Sequence, residues 1–175
     1  MDAKPYFFQD EMRFGTRTEL GRRWMASGIR PRGEMLIGYE YGYLSAALNP
    51  QTGELFCLLL PDMRTESFQA FLDEFRKFVG QSKTVRLITD GAAAHRSKRL
   101  KIAEQLEIEH LPPYSPELNP VERLFKELRQ QLKNRVFESL EAVEAAVTQA
   151  VKLYLSDSVR VRKLTFYSWL YNPQT

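Results

Sequence analysis

Three acidic residues stand where an α/β chain brings distant segments together. Asp10 follows the aromatic run Tyr6-Phe7-Phe8, Asp90 ends Val85-Arg86-Leu87-Ile88-Thr89, and Glu122 opens the helix announced by Leu118-Asn119-Pro120-Val121. Two strand ends and a helix start can converge at the carboxyl edge of a sheet. Converging carboxylates without His or Cys among them favour a hard cation, Mg²⁺ or Mn²⁺. In a basic surround, the matching substrate is a nucleic-acid phosphodiester.

Each acid also has a local explanation. Asn119 suits an N-cap, Pro120 the first helical position and Glu122 the third, where a capping-box carboxylate belongs. Asp90-Gly91 is a common turn dipeptide, and Asp10-Glu11 would serve as a solvated strand end. Taken singly, each acid is more simply structural; the combination is what points to chemistry.

The elements that must position these acids are readable from periodicity. Residues 5–10 read as a strand, and an Arg- and Gly-rich segment follows from Met12 to Gly33. Met35 to Leu48 and Glu54 to Leu60 read as strands joined by the turn Asn49-Pro50-Gln51-Thr52-Gly53. Phe68, Phe71, Leu72, Phe75, Phe78 and Val79 recur at helical spacing and predict an amphipathic helix ending near Gly80. A strand at 84–90, a helix at about 96–106 and a strand at 107–111 come next, then the loop Pro112-Pro113-Tyr114-Ser115-Pro116. Helices are expected from Pro120 to about Asn134 and from about Ser139 to Leu155. The predicted order is βββαβαβα with further helical material appended: an α/β, RNase H-like fold with a five-stranded mixed sheet flanked by helices. Residues 1–175 are expected to form one such domain with a C-terminal helical extension.

Composition permits this reading and narrows the alternatives. The 175 residues are 43% hydrophobic and carry a formal net charge of +3, a sign that suits an anionic partner. Cys57 lies within an apolar run and reads as buried filler; two histidines and one cysteine argue against a zinc site. No stretch reaches the roughly 18 apolar residues of a bilayer span, and no leader pattern is visible, so a soluble, cytoplasmic protein without membrane association is expected. Trp24 and Trp169 are suited to stacking on bases, but burial in the core is the expectation for both.

The wording around the acids is specific. Leu87-Ile88-Thr89-Asp90-Gly91-Ala92-Ala93-Ala94-His95-Arg96-Ser97 and Leu111-Pro112-Pro113-Tyr114-Ser115-Pro116-Glu117-Leu118-Asn119-Pro120-Val121-Glu122 closely resemble the second and third acidic motifs of DDE transposases of the mariner superfamily, in its bacterial insertion-sequence branch. Phe8-Gln9-Asp10-Glu11-Met12-Arg13-Phe14, followed by Gly21-Arg22-Arg23-Trp24 and Gly28, resembles the first-acid strand and its sequel. The resemblance covers residues 6 to about 135, with a slightly short interval between Asp90 and Glu122. It implies that Asp10, Asp90 and Glu122 are catalytic metal ligands for Mg²⁺ or Mn²⁺, held as a pair of ions, with Glu11 the rival for the first position. It also implies cleavage at transposon ends and strand transfer into target DNA, with TA as the target dinucleotide.

Basic residues surround the acids. Arg13, Arg17, Arg22, Arg23, Arg30 and Arg32 face a single acid, Glu19, between Met12 and Arg32. His95, Arg96, Lys98 and Arg99 follow Asp90, while Asn119 precedes Glu122 and Arg123, Lys126, Arg129 and Lys133 lie on its helix. We expect DNA contacts from Arg22, Arg23, His95, Arg96, Lys98, Arg99, Asn119, Arg123 and Lys126. His95 is equally suited to anchoring the turn after its strand. Within the resemblance, the end-reading helix-turn-helix modules that precede such a domain have no counterpart before Asp10. This suits an excised catalytic domain or a split gene with a separate N-terminal DNA-binding polypeptide. A monomer alone and a dimer in the synaptic complex are expected, with Ser158 to Trp169 packing on its own core in preference to forming an interface. Two other classes share these residues: an RNase H-like endonuclease that releases its products without joining, and a non-enzymatic regulatory fragment.

Overall fold

The computed structural model describes residues 4–22, 24–30 and 32–167. Five strands form one mixed sheet: β1 Tyr6–Gly15, β2 Tyr41–Leu48, β3 Leu55–Leu60, β4 Val85–Thr89 and β5 Leu106–His110. Their order is β3-β2-β1-β4-β5. The first three run as an antiparallel meander, whereas β4 pairs parallel to β1 and β5 parallel to β4. This is the RNase H-like sheet, with β1 at its centre.

Alternation along the strands sorts side chains onto two faces. Phe8, Met12 and Phe14 of β1, with Leu44, Ala46 and Leu48 of β2, meet the apolar sides of α2 (Val121–Leu132) and α3 (Leu140–Leu155). Phe7, Ala47 and Leu87 point the other way, against Phe68, Phe71, Leu72 and Phe75 of α1 (Thr65–Val79). Burying each such side chain contributes roughly 1.5–3 kcal/mol, so the Phe stripe of α1 is core. Ser139 caps α3 by accepting from the Ala142 N–H at 3.3 Å, and a further helix, α4 (Ser158–Thr165), buries Val161 and Thr165 while leaving Val159 exposed. The described part of the C-terminal stretch therefore packs on its own chain; Trp169 lies outside the described residues.

Four features differ from the sequence reading. Strand β1 continues through Gly15, because its register with β2 holds to Gly15↔Tyr41, so Asp10 lies mid-strand instead of at a strand end. Strand β2 begins at Tyr41; the preceding residues keep only scattered bonds to the β1 side, such as Thr18 N–H to the Leu36 carbonyl at 3.0 Å. No helix forms at 96–106: Arg96, Lys98, Arg99 and Lys101 leave too narrow an apolar stripe to offset helix nucleation. That segment is instead held to α1, where the Gln69 side chain accepts from the Lys101 N–H at 2.7 Å and donates to its carbonyl at 3.1 Å. The order is thus βββαββααα, not βββαβαβα. Trp24, expected in the core, is fully exposed.

Candidate active site

The parallel pairing of β1 with β4 ends at Phe8↔Ile88. Two residues beyond each partner stand Asp10 and Asp90, and the period-2 alternation turns both toward the face covered by α2. The end of β1–β4 pairing, where two strands splay, is therefore where two carboxylates meet.

The third acid is delivered by Asn119. This residue is only 1% exposed, and its side-chain amide donates to the Gln9 carbonyl at 3.0 Å and to Asp10 Oδ2 at 3.2 Å. Its carbonyl oxygen accepts from the Val121 N–H at 3.1 Å, and Pro120 already has helical dihedrals. One side chain thus caps α2, docks it on β1 and orients Asp10. Asn119 is buried and already engaged within the protein. Glu122, in the first turn of α2, then faces a cleft of about 430 Å³ whose lining includes Asp10, Asp90, Arg96, Tyr114 and Asn119.

The acids differ in electrostatics. Burial pushes the Asp10 carboxyl up to about 7, and the charges of Glu122, Glu11 and Asp90 add to this against the opposing Glu11 N–H bond. Asp90 is held below the usual carboxylate range, chiefly by the hydrogen bond from His95 Nδ1 at 2.6 Å. Burial alone would drive His95 toward neutrality, but hydrogen bonds to Asp90 and, at 3.2 Å, to Glu11 outweigh it and bring the imidazole up to about 9. His95 is buried, with the Phe68 ring centroid 4.1 Å away, so it anchors the turn after β4 instead of offering itself at the surface. Glu11 is held behind the strand by Gln9 and His95, whereas Asp10 lines the cleft.

The basic residues fall into separate groups. Arg96 is exposed on the cleft wall, its guanidinium packed so closely over Gly91 that an added Cβ would lie 2.6 Å from it. Lys98, Lys126 and Arg22 are exposed, and Arg99 pairs with Glu66 at 3.0 Å on the surface. Arg123 is turned to the C-terminal segment, donating to the carbonyls of Leu164 at 3.3 Å and Phe166 at 2.7 Å and lying over the Tyr167 ring. Arg23 lies outside the described residues. Arg129, read from sequence only as one of the basic residues on this helix, brings its guanidinium to Glu122 Oε2 at 3.4 Å. Its signal was a seven-residue spacing, two helical turns on one face of α2.

Among the described residues, no three His, Cys, Asp or Glu side chains already stand in a coordination shell. The donor chemistry nevertheless fits a hard divalent cation. All three cleft acids are oxygen ligands, and mutual repulsion helps raise Asp10, a cost that a cation between them would remove.

Residues 5–144 match the family model described as DDE superfamily endonuclease. The chain belongs to that family. This DDE endonuclease is 29% identical over 130 residues to the Sinorhizobium fredii protein y4pE/y4sA, covering 74% of this chain and 96% of the relative. It is 29% identical over 128 residues to the insertion element IS630 uncharacterized 39 kDa protein of Shigella sonnei, covering 71% of this chain but 37% of that protein. The strand transfer complex of Mos1 superposes with a TM-score of 0.66 at 16% identity over 92% of this chain and 50% of that one. The catalytic domain of Mos1 mariner transposase gives 0.60 at 14% identity, over 92% and 78%. At these identities the likeness to Mos1 is one of fold. The matched region is thus about a third to a half of the longer relatives' length.

Proposed function

We propose that this DDE endonuclease is the catalytic part of a transposase of the mariner and insertion-element group, cutting DNA at transposon ends and joining the freed 3′-hydroxyl to target DNA at TA. The observation that carries the proposal is the convergence of Asp10, Asp90 and Glu122 on one cleft. Asp10, Asp90 and Glu122 would hold Mg²⁺ or Mn²⁺, as a pair of ions, which supply Lewis-acid activation of the phosphodiester and of its attacking oxygen.

The chain's own residues prepare that cleft. Asn119 fixes the carboxylate of Asp10 and the start of α2 together, so two of the three acids are positioned by one amide. His95, bridging Asp90 and Glu11, holds Asp90 ionised. Arg96 on the cleft wall offers a guanidinium to a phosphate oxygen, and Arg129 steadies Glu122. DNA is the substrate that this charge pattern fits, with two copies joining two ends in one synaptic complex.

The test is cleavage of a labelled duplex carrying the element's end. Wild-type chain should nick it with Mg²⁺ or Mn²⁺ and not in EDTA, and TA-containing target should accept the cut strand. Asp10→Asn, Asp90→Asn and Glu122→Gln should each reduce cleavage by at least about a hundredfold with circular dichroism unchanged. Cleavage that survives any of these substitutions would refute the assignment, and nicking without joining would reduce it to an endonuclease.

A further inference from the structure

Tyr114 is the one residue of the cleft that the fold itself leaves unexplained. Its backbone lies in the left-handed region at φ 59°, where bulky side chains are outliers, and the side chain is fully exposed. The only other non-glycine residue at positive φ among the described residues is Asn134, just beyond α2, a residue type that tolerates this conformation and a position where helices end that way. Among the described residues no packing repays the strain at Tyr114, whose side chain is fully exposed. Strain of this kind persists where the surroundings impose it, and Pro112, Pro113 and Pro116 stiffen this loop.

The ring stands on the lining of the cleft that holds the acids, with Arg96. A nucleotide presents a phosphate and a flat aromatic base to such a wall. Arg96, and cations that the acids would hold, suit the phosphate, and the exposed phenol is the one aromatic ring on this lining for the base. We infer that Tyr114 is a stacking platform for an unpaired base adjoining the scissile phosphate, so that the cleft takes a frayed DNA end in preference to intact duplex. This rests on the reading of the cleft as a DNA-cutting site. Stacking on a π face is sequence-tolerant, so Tyr114 would set the position of the cut more than the identity of the base.

The experiment uses the full chain and a duplex with 2-aminopurine next to the cleaved bond. Fluorescence is read with Ca²⁺ and cleavage with Mg²⁺, for wild type, Tyr114→Phe and Tyr114→Gly. Wild type and Tyr114→Phe should quench the probe. Tyr114→Gly, which relieves the positive φ, should melt at or above the wild-type temperature, lose the quench and cut about tenfold more slowly, a loss that narrows when the end is pre-frayed. Quenching and cleavage by Tyr114→Gly equal to wild type would overturn the inference while leaving the DNA-cutting reading intact. Wild-type quenching that Tyr114→Gly abolishes, without cleavage by either, would support the platform and refute that reading. Absence of both quench and cleavage in folded wild type would remove both.

Discussion

Asp10 and Asp90 each stand two residues beyond the last β1–β4 pair, yet they should answer oppositely to the same substitution. Asp10 is an acid whose folded value, about 7, lies above its ordinary 3.8. Its charge therefore costs the fold stability, and that cost grows as pH rises from about 4 to about 7 and stays above it. In metal-free protein at pH 8, Asp10→Asn should raise stability by on the order of 1–3 kcal/mol, the full shift being discounted for relaxation and water entry. Asp90 is stabilised by His95, so Asp90→Asn should instead cost about 1–2 kcal/mol through the weakened hydrogen bond. Neutralising a member of the acidic cluster should therefore stabilise the fold at Asp10 but not at Asp90. His95, raised to about 9 from 6.5, contributes stability that is complete below about 6.5 and lost as pH rises through 9. Urea denaturation in EDTA across pH 5–10 checks all three signs; an Asp10→Asn protein less stable than wild type at pH 8 would contradict the account.

Among the elements, the join between β1 and α2 matters most, and Asn119 is its pin. Asn119→Ala should cost about 1–2 kcal/mol from the lost cap and leave the buried Gln9 carbonyl without its amide donor. Cleavage should fall further than stability explains, because Asp10 loses its orienting amide; unchanged turnover in a folded Asn119→Ala protein would argue that the join is only structural. The pattern around Asn119-Pro120-Val121-Glu122 made the cap legible in sequence, and strand alternation made β3, β4 and β5 legible. The Phe stripe likewise gave α1 to within a few residues. What escaped was non-local. The extension of β1 to Gly15 is decided by pairing with β2, which leaves no mark in its own segment, and residues 96–106, whose apolar stripe is narrow, are held in their non-helical path by Gln69 on α1. At the site, the motif pointed to the three acids that line the cleft, but the sequence left His95 open between a DNA contact and a turn anchor and gave Asn119 both a cap and a DNA contact, because their burial depends on partners 109 and 84 residues away.

Over the whole molecule, charge is arranged as a track. Arg13, Arg17, Arg129 and Arg135 line one crevice with Glu19, and Arg129 links that crevice to Glu122 in the cleft. Such contacts follow phosphates without reading bases, so the chain alone should bind duplex weakly, with little sequence preference and a steep salt dependence. Replacing Arg13 and Arg17 by Gln should lower the slope of log affinity against log salt by about 2. An unchanged slope, or tight discrimination between end and random sequence at physiological salt, would count against the track.

The central claim is that Asp10, Asp90 and Glu122 form one divalent-cation site, and Mn²⁺ binding followed by the loss of the free-ion electron paramagnetic resonance signal tests it most directly. Wild-type chain at pH 7.5 should bind Mn²⁺ in competition with Mg²⁺, each of Asp10→Asn, Asp90→Asn and Glu122→Gln should weaken binding at least about tenfold, and Glu117→Gln, outside the cleft lining, should leave it unchanged. Binding that is indifferent to all three cleft substitutions, in proteins shown to be folded, would contradict the account.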